Sequence, residues 1–124
     1  MTRPFRTREM PEAERPMSEQ YRLLGEAWAD ADGAANLLEE LKTTTLEQRK
    51  TAIMKERGDM AESKAERLVK SDPEWEAYIR QMCGARAAAN KMKVRLEGMR
   101  MQHMEWNARD ANARAEARLF GRGP

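Results

Sequence analysis

What most limits the fold of this chain is the stretch that follows Asp72-Pro73. It has no further proline until Pro124, and its apolar residues keep one heptad frame. One set is Trp75, Met82, Ala89, Leu96, His103, Asp110 and Ala117; the other is Tyr78, Ala85, Met92, Met99, Trp106, Ala113 and Phe120. Only His103 and Asp110 are not apolar, so the pattern predicts a coiled-coil seam along one long helix. Ser71-Asp72-Pro73-Glu74 marks its start. Asp72 can accept from the first free amides, Pro73 has its φ preset, and Glu74 sits at the positive end of the helix dipole. A helix from Pro73 to Phe120 would be about 72 Å long, whereas a compact domain of this chain length is roughly 35 Å across. The seam therefore overhangs anything its own chain can cover. The surplus must meet another copy or another protein, or be removed by a break at Gly84 or Gly98.

A second amphipathic helix is expected from Ser18 to Lys42, with Tyr21, Leu24, Trp28, Ala31, Ala35, Leu38 and Leu41 on one face and Gly25 and Gly33 as weak points. At about 36 Å it can cover only half the seam. Thr43-Thr44-Thr45 should interrupt it. Thr44 with Glu47, and Thr45 with Gln48, fit a capping box and predict a short helix from near Leu46 to Arg57. Gly58 should supply the left-handed residue after it. A further short helix, about Ala61 to Lys70, would turn Ala65, Leu68 and Val69 inward. Residues 1–16 hold three prolines and few apolar groups and read as a mobile arm; residues 17–120 form the helical domain, and 121–124 a tail. The expected architecture is all-α: an elongated helical hairpin with a long C-terminal coiled-coil helix and short connecting helices, oligomeric through the seam residues Met82, Ala89, Met92, Leu96, Met99 and Trp106.

Several classes of function are not expected. No apolar run approaches the roughly 18 residues of a membrane span, and no secretory signal opens the chain. A single cysteine, Cys83, and a single histidine, His103, cannot make a four-ligand zinc site, so neither metal nor cofactor is expected, and a reducing cytoplasm fits. No nucleophile with a neighbouring base and no glycine-rich phosphate loop is present, so catalysis is not expected. His103 reads as a seam residue that hydrogen-bonds a neighbour or, with Asp110 seven residues on, sets register. Alternatively the seam ends near Trp106, and the segment from Asn107 to Arg118, poor in large apolar groups, is a free or frayed helix. Four of the ten methionines, Met92, Met99, Met101 and Met104, crowd one stretch, and because Met82, Met92 and Met99 are seam residues, core packing is expected more than adaptable recognition.

Charge divides the chain. Residues 80–124 carry ten Lys or Arg against four Asp or Glu, a balance of +6, whereas residues 1–79 carry 13 against 17, a balance of −4. Arg86, Lys93, Arg100, Asn107 and Arg114 recur every seven residues beside the seam, and Arg95 and Arg109 flank its other side. Two readings follow. The cations pair with acidic residues of a partner helix, which the first half could supply through Glu19, Glu26, Asp30, Asp32, Glu39 and Glu40, as seam-bordering charges commonly do. Alternatively, they neutralise phosphates of a nucleic acid and release counterions. Trp106, between Arg100 and Arg109, could stack on a base or be buried in the seam.

The runs Gly58-Asp59-Met60, Ser63-Lys64-Ala65-Glu66, Asp72-Pro73-Glu74-Trp75 and Ala85-Arg86-Ala87-Ala88-Ala89-Asn90-Lys91-Met92-Lys93-Val94 resemble small helical proteins of tailed-phage recombination and replication modules. The layout of first helix, connector and long basic helix looks like that of the UvsY family of recombination mediators. The resemblance spans about Leu37 to Trp106. It implies a non-catalytic oligomer in the host cytoplasm that binds single-stranded DNA and assists a recombinase or annealing protein against a single-strand-binding protein. The DNA-binding residues would then be Arg86, Lys93, Arg95, Arg100, Arg109 and Arg114. The alternative is a protein-interaction module, such as a small inhibitor of a host enzyme or defence complex, or an assembly adaptor.

Overall fold

The computed structural model describes residues 16–121. The arm expected at residues 1–16 thus lies outside the described residues except for Pro16, and residues 122–124 of the tail do as well. Four helices follow in order: α1 (Met17–Glu40), α2 (Lys42–Arg57), α3 (Glu62–Lys70) and α4 (Pro73–Leu119), with no strand among the described residues. The all-α expectation holds, as does the long C-terminal helix.

The start of α4 is built as its sequence predicts. The Glu74 amide donates to Asp72 Oδ1 at 2.9 Å, and the Trp75 and Glu76 amides reach the Asp72 carbonyl at 3.0 and 3.3 Å. Gly84 and Gly98 do not break the helix: both are helical, with open space where a Cβ would sit. Gly58 closes α2 at φ 91°, ψ 170°, its amide bonded to the Met54 carbonyl at 2.9 Å. The φ is positive as expected, but the ψ is extended, a combination almost confined to glycine.

The threonines behave differently from the expectation. The chain leaves helical structure only at Leu41, and α2 already runs from Lys42 through Thr43, Thr44 and Thr45 with no side-chain cap. The Leu41 amide reaches the Leu37 carbonyl at 3.0 Å and the Thr45 amide reaches that of Leu41 at 2.8 Å. With α2 under way from Lys42, Thr44 and Thr45 lie inside the helix, and neither acts as its N-cap.

The described residues fall into two compact units. One is Ala27–Lys91; the other joins the residues up to Glu26 with those from Met92 onward. In the first, the buried side chains are Ala35 of α1, Ala65 and Val69 of α3, and Trp75 and Ala89 of α4. Trp75 stacks on Tyr78 with ring centroids 5.6 Å apart, and the Tyr78 hydroxyl donates to the Leu38 carbonyl. The beginning of α4 is thereby held against the end of α1. Arg49 bonds Glu74 at 2.7 Å across α2 and α4, and the buried Lys50 lies 3.1 Å from Glu47 and 3.9 Å from Glu62 of α3. Those carboxylates, Glu47 first, hold the Lys50 ammonium above the usual lysine range.

In the second unit Leu24 is the buried apolar side chain, and Leu96 lies beside Gly25, where an added Cβ would sit 4.0 Å from its Cδ1. Met17 and Tyr21 of α1 border Met99 and His103 of α4. Beyond that point α1 has ended, and only Asp110 and Ala117 are even half-buried.

Candidate functional site

Along α4 the predicted seam has two conditions. Trp75 and Ala89 are buried, and Met82, Met92, Leu96 and Met99 are half-buried, each within its own unit. From His103 onward only Asp110 and Ala117 of the frame are half-buried; the rest is exposed, Trp106 63% and Phe120 70%. Burial of Trp106, one of the two readings of its sequence position, does not occur among the described residues, none of which forms an element over it. Val94, Met101 and Met104, off the heptad face, are exposed as well.

The basic positions divide in a similar way. Arg86 is half-buried, and its guanidinium is spent on α1: it donates to Asp32 Oδ1 at 2.7 Å, to both carboxylate oxygens of Glu39 at 2.8 and 2.9 Å, and to Asn36 Oδ1. Bidentate pairing of this kind is the strong form of a charge-assisted bond. It holds the Glu39 carboxyl below the usual carboxylate range and raises Arg86 further above its own. For Arg86 the pairing reading of the basic line is thus realised. Asp32 and Glu39 were among the acids the sequence offers, whereas Asn36 carries no charge and gives no signal.

Lys93, Arg95, Arg100, Arg109 and Arg114 are all exposed. Arg114 lies 3.1 Å from Asp110 one turn earlier, a local pair, while Lys93, Arg100 and Arg109 have no carboxylate partner among the described residues. Arg100 also borders an apolar depression of about 300 Å³ with Met17, Ser18, Tyr21, Met99 and His103. A neighbouring depression of about 440 Å³ is lined by Met17, Gln102, His103 and Trp106. His103 Nε2 lies 3.3 Å from Asn107 Nδ2, so the lone imidazole is engaged by its own helix.

Among the described residues no group of His, Cys, Asp and Glu could hold a metal ion, and Cys83 is an exposed free thiol. No described helix is long and apolar enough to cross a membrane. The feature this stretch offers is a surface: Trp106, Ala113, Ala117 and Phe120 with the polar His103 and Asp110 along the heptad face, Arg109, Arg114 and Glu116 at its borders, and an indentation where α1 begins. Comparison of the chain with protein-family models, with curated proteins and with solved structures gives no match in any of the three.

Proposed function

We propose that this chain is a non-catalytic helical interaction protein that acts by docking α4 from His103 to its end at Leu119, with Phe120 in the turn just past it, against another helix. The observation that carries this reading is the exposure of Trp106 and Phe120 on the heptad face. Large aromatic side chains presented together on one helix face supply the apolar area from which interfaces draw most of their energy. On this reading the uncovered seam at the end of α4 is completed by another chain, as an assembly adaptor or a small inhibitor would be.

A second reading is favoured by Lys93, Arg100 and Arg109, exposed and without carboxylate partners on either side of Trp106. It is the one that the resemblance to phage recombination mediators implies: a cytoplasmic oligomer binding single-stranded DNA by phosphate neutralisation and base stacking, in support of a recombinase or annealing protein. Arg86 contributes to neither reading, since its donors are already taken.

Salt separates the two. Association measured by light scattering, with and without a labelled oligonucleotide, should persist at high salt and vanish in Trp106→Asp if the seam docks on a helix. Binding to the oligonucleotide that falls with salt by about 0.7 log units per log unit for each phosphate contact would replace that reading with the DNA one.

A further inference from the structure

Resting on the docking reading above, we infer that the helix received by residues 103–120 is the same segment of a second copy, running antiparallel, with His103 opposite the partner's Phe120, Trp106 opposite the partner's Ala117 and Asp110 opposite the partner's Ala113. Charge complementarity, the length of uncovered seam and the position of the depressions beside it each select this arrangement.

The charges bordering the seam act first. In a parallel, in-register pair, Arg109 would face the partner's Arg114 and Arg95 the partner's Arg100, a like-charge pattern that coiled coils use to exclude a partner. In the antiparallel register proposed here, Arg109 faces the partner's Glu116 and Glu116 faces the partner's Arg109, while Asn107 faces the partner's Arg114. No like charges meet across the borders. Asp110 enters the interface with its carboxylate already 3.1 Å from Arg114 of its own helix.

Length acts second. The overlap from residue 103 to residue 120 is about 27 Å, roughly two and a half heptads. It ends where α1 begins, at Met17 beside Met99 and His103. Sliding the partner one heptad further would push its end onto the stretch of seam that Tyr21 already borders. It would also set Arg100 against the partner's Arg114 and Arg109 against the partner's Arg109. Sliding it one heptad back would leave Trp106 uncovered.

Shape agrees with both. The partner's Phe120 arrives level with His103, at the mouth of the apolar depression that Met17, Tyr21 and Met99 line. A large ring is thus offered a hollow, and Trp106 is offered an alanine. Such alternation of large and small groups lets two seams interdigitate. The outer face, Val94 with Met101, presents no aromatic group.

The test is charge reversal in the full chain, read as the dimer dissociation constant by sedimentation equilibrium from about 1 µM to about 1 mM. Glu116→Arg places two like-charge pairs across the symmetric interface and should weaken the dimer on the order of tenfold, as should Arg109→Glu. The double change Arg109→Glu with Glu116→Arg re-forms both pairs and should return the wild-type constant. A parallel pair responds otherwise: Arg109→Glu strengthens it against the partner's Arg114, and that result overturns the proposal. A wild type that stays monomeric across the range also overturns it. Dimerisation that Trp106→Asp abolishes but neither reversal changes overturns this register and keeps the docking reading, whereas dimerisation indifferent to Trp106→Asp removes both.

Discussion

The two halves of α4 share one heptad frame and differ in what lies beside them. In the unit Ala27–Lys91 the frame is sealed: Trp75 is 5% exposed, Tyr78 is bonded to α1, and Arg86 is held by three residues, Asp32, Asn36 and Glu39. In the other unit the frame from His103 onward is bare, and cations such as Lys93 and Arg109 have no acceptor among the described residues. The same residue types at the same spacing thus serve as core in one place and as surface in the other. Periodicity specifies which side of a helix is apolar, but a neighbouring element decides whether that side is interior.

The sharpest way to break this comparison is to truncate one tryptophan in each half. Trp75→Ala should cost about 3–5 kcal/mol, because it empties a buried site and removes a stacked partner. Trp106→Ala, at 63% exposure, should change the unfolding free energy of the dilute chain by no more than about 0.5 kcal/mol. Denaturant titrations at low micromolar concentration measure both. Equal losses would mean that the distal seam is already covered within one chain.

Next in size is the arginine of each half. Arg86→Ala leaves Asp32 and Glu39 facing each other without their shared cation and should lower the melting temperature, whereas Arg109→Ala should leave it unchanged. Acid tests the same contact. Glu39 is held below its ordinary range by Arg86, so its contribution is fully present above the unfolded value near 4.5 and is lost as pH falls through the depressed one. Stability of the wild type should therefore drop more steeply below about pH 4.5 than that of Arg86→Ala. Parallel pH profiles of the two would contradict the pairing.

How far this contrast could be read from sequence depends on whether the signal is local. The Asp72-Pro73 start, the uninterrupted α4 and the inward Ala65 and Val69 are fixed by groups within a few residues of one another, and they appear as expected. The capping boxes at Thr44 and Thr45 were misleading because α2 already begins at Lys42, which puts both threonines inside the helix and not at its cap. The fate of Arg86 was only half legible. Its heptad position allows either a phosphate or a carboxylate, and the choice was made by Asp32, Asn36 and Glu39, some fifty positions away along the chain. Trp106 shows the same limit, since nothing in its own segment says where α1 begins.

A smaller effect tests the junction before α4. Asp72→Ala removes the acceptor that holds the Glu74 amide at 2.9 Å and should cost about 1 kcal/mol. Pro73→Ala should cost less, since alanine is accepted at a first helical position. Because the cap lies next to Trp75, its loss should appear as lowered global stability, read from the denaturation midpoint. An unchanged midpoint would show that the sealed half does not depend on how α4 starts.

The smallest expected effect has the opposite sign and separates the halves by where it is felt. Gly33 of α1 and Gly98 of α4 are both helical, exposed and open where a Cβ would sit. Replacing either with alanine should favour helix by about 0.5–1 kcal/mol, through the conformational freedom that alanine lacks in the unfolded chain. Gly33 lies in the unit whose side chains are sealed against one another, so Gly33→Ala should raise the global denaturation midpoint. Gly98 precedes a stretch with few buried neighbours, and such stretches open locally at free energies well below that of global unfolding. Gly98→Ala should then slow amide exchange over residues 99–119 while moving the midpoint little. If instead both substitutions shift the midpoint equally and leave distal exchange untouched, the bare half of α4 unfolds as one with the sealed half.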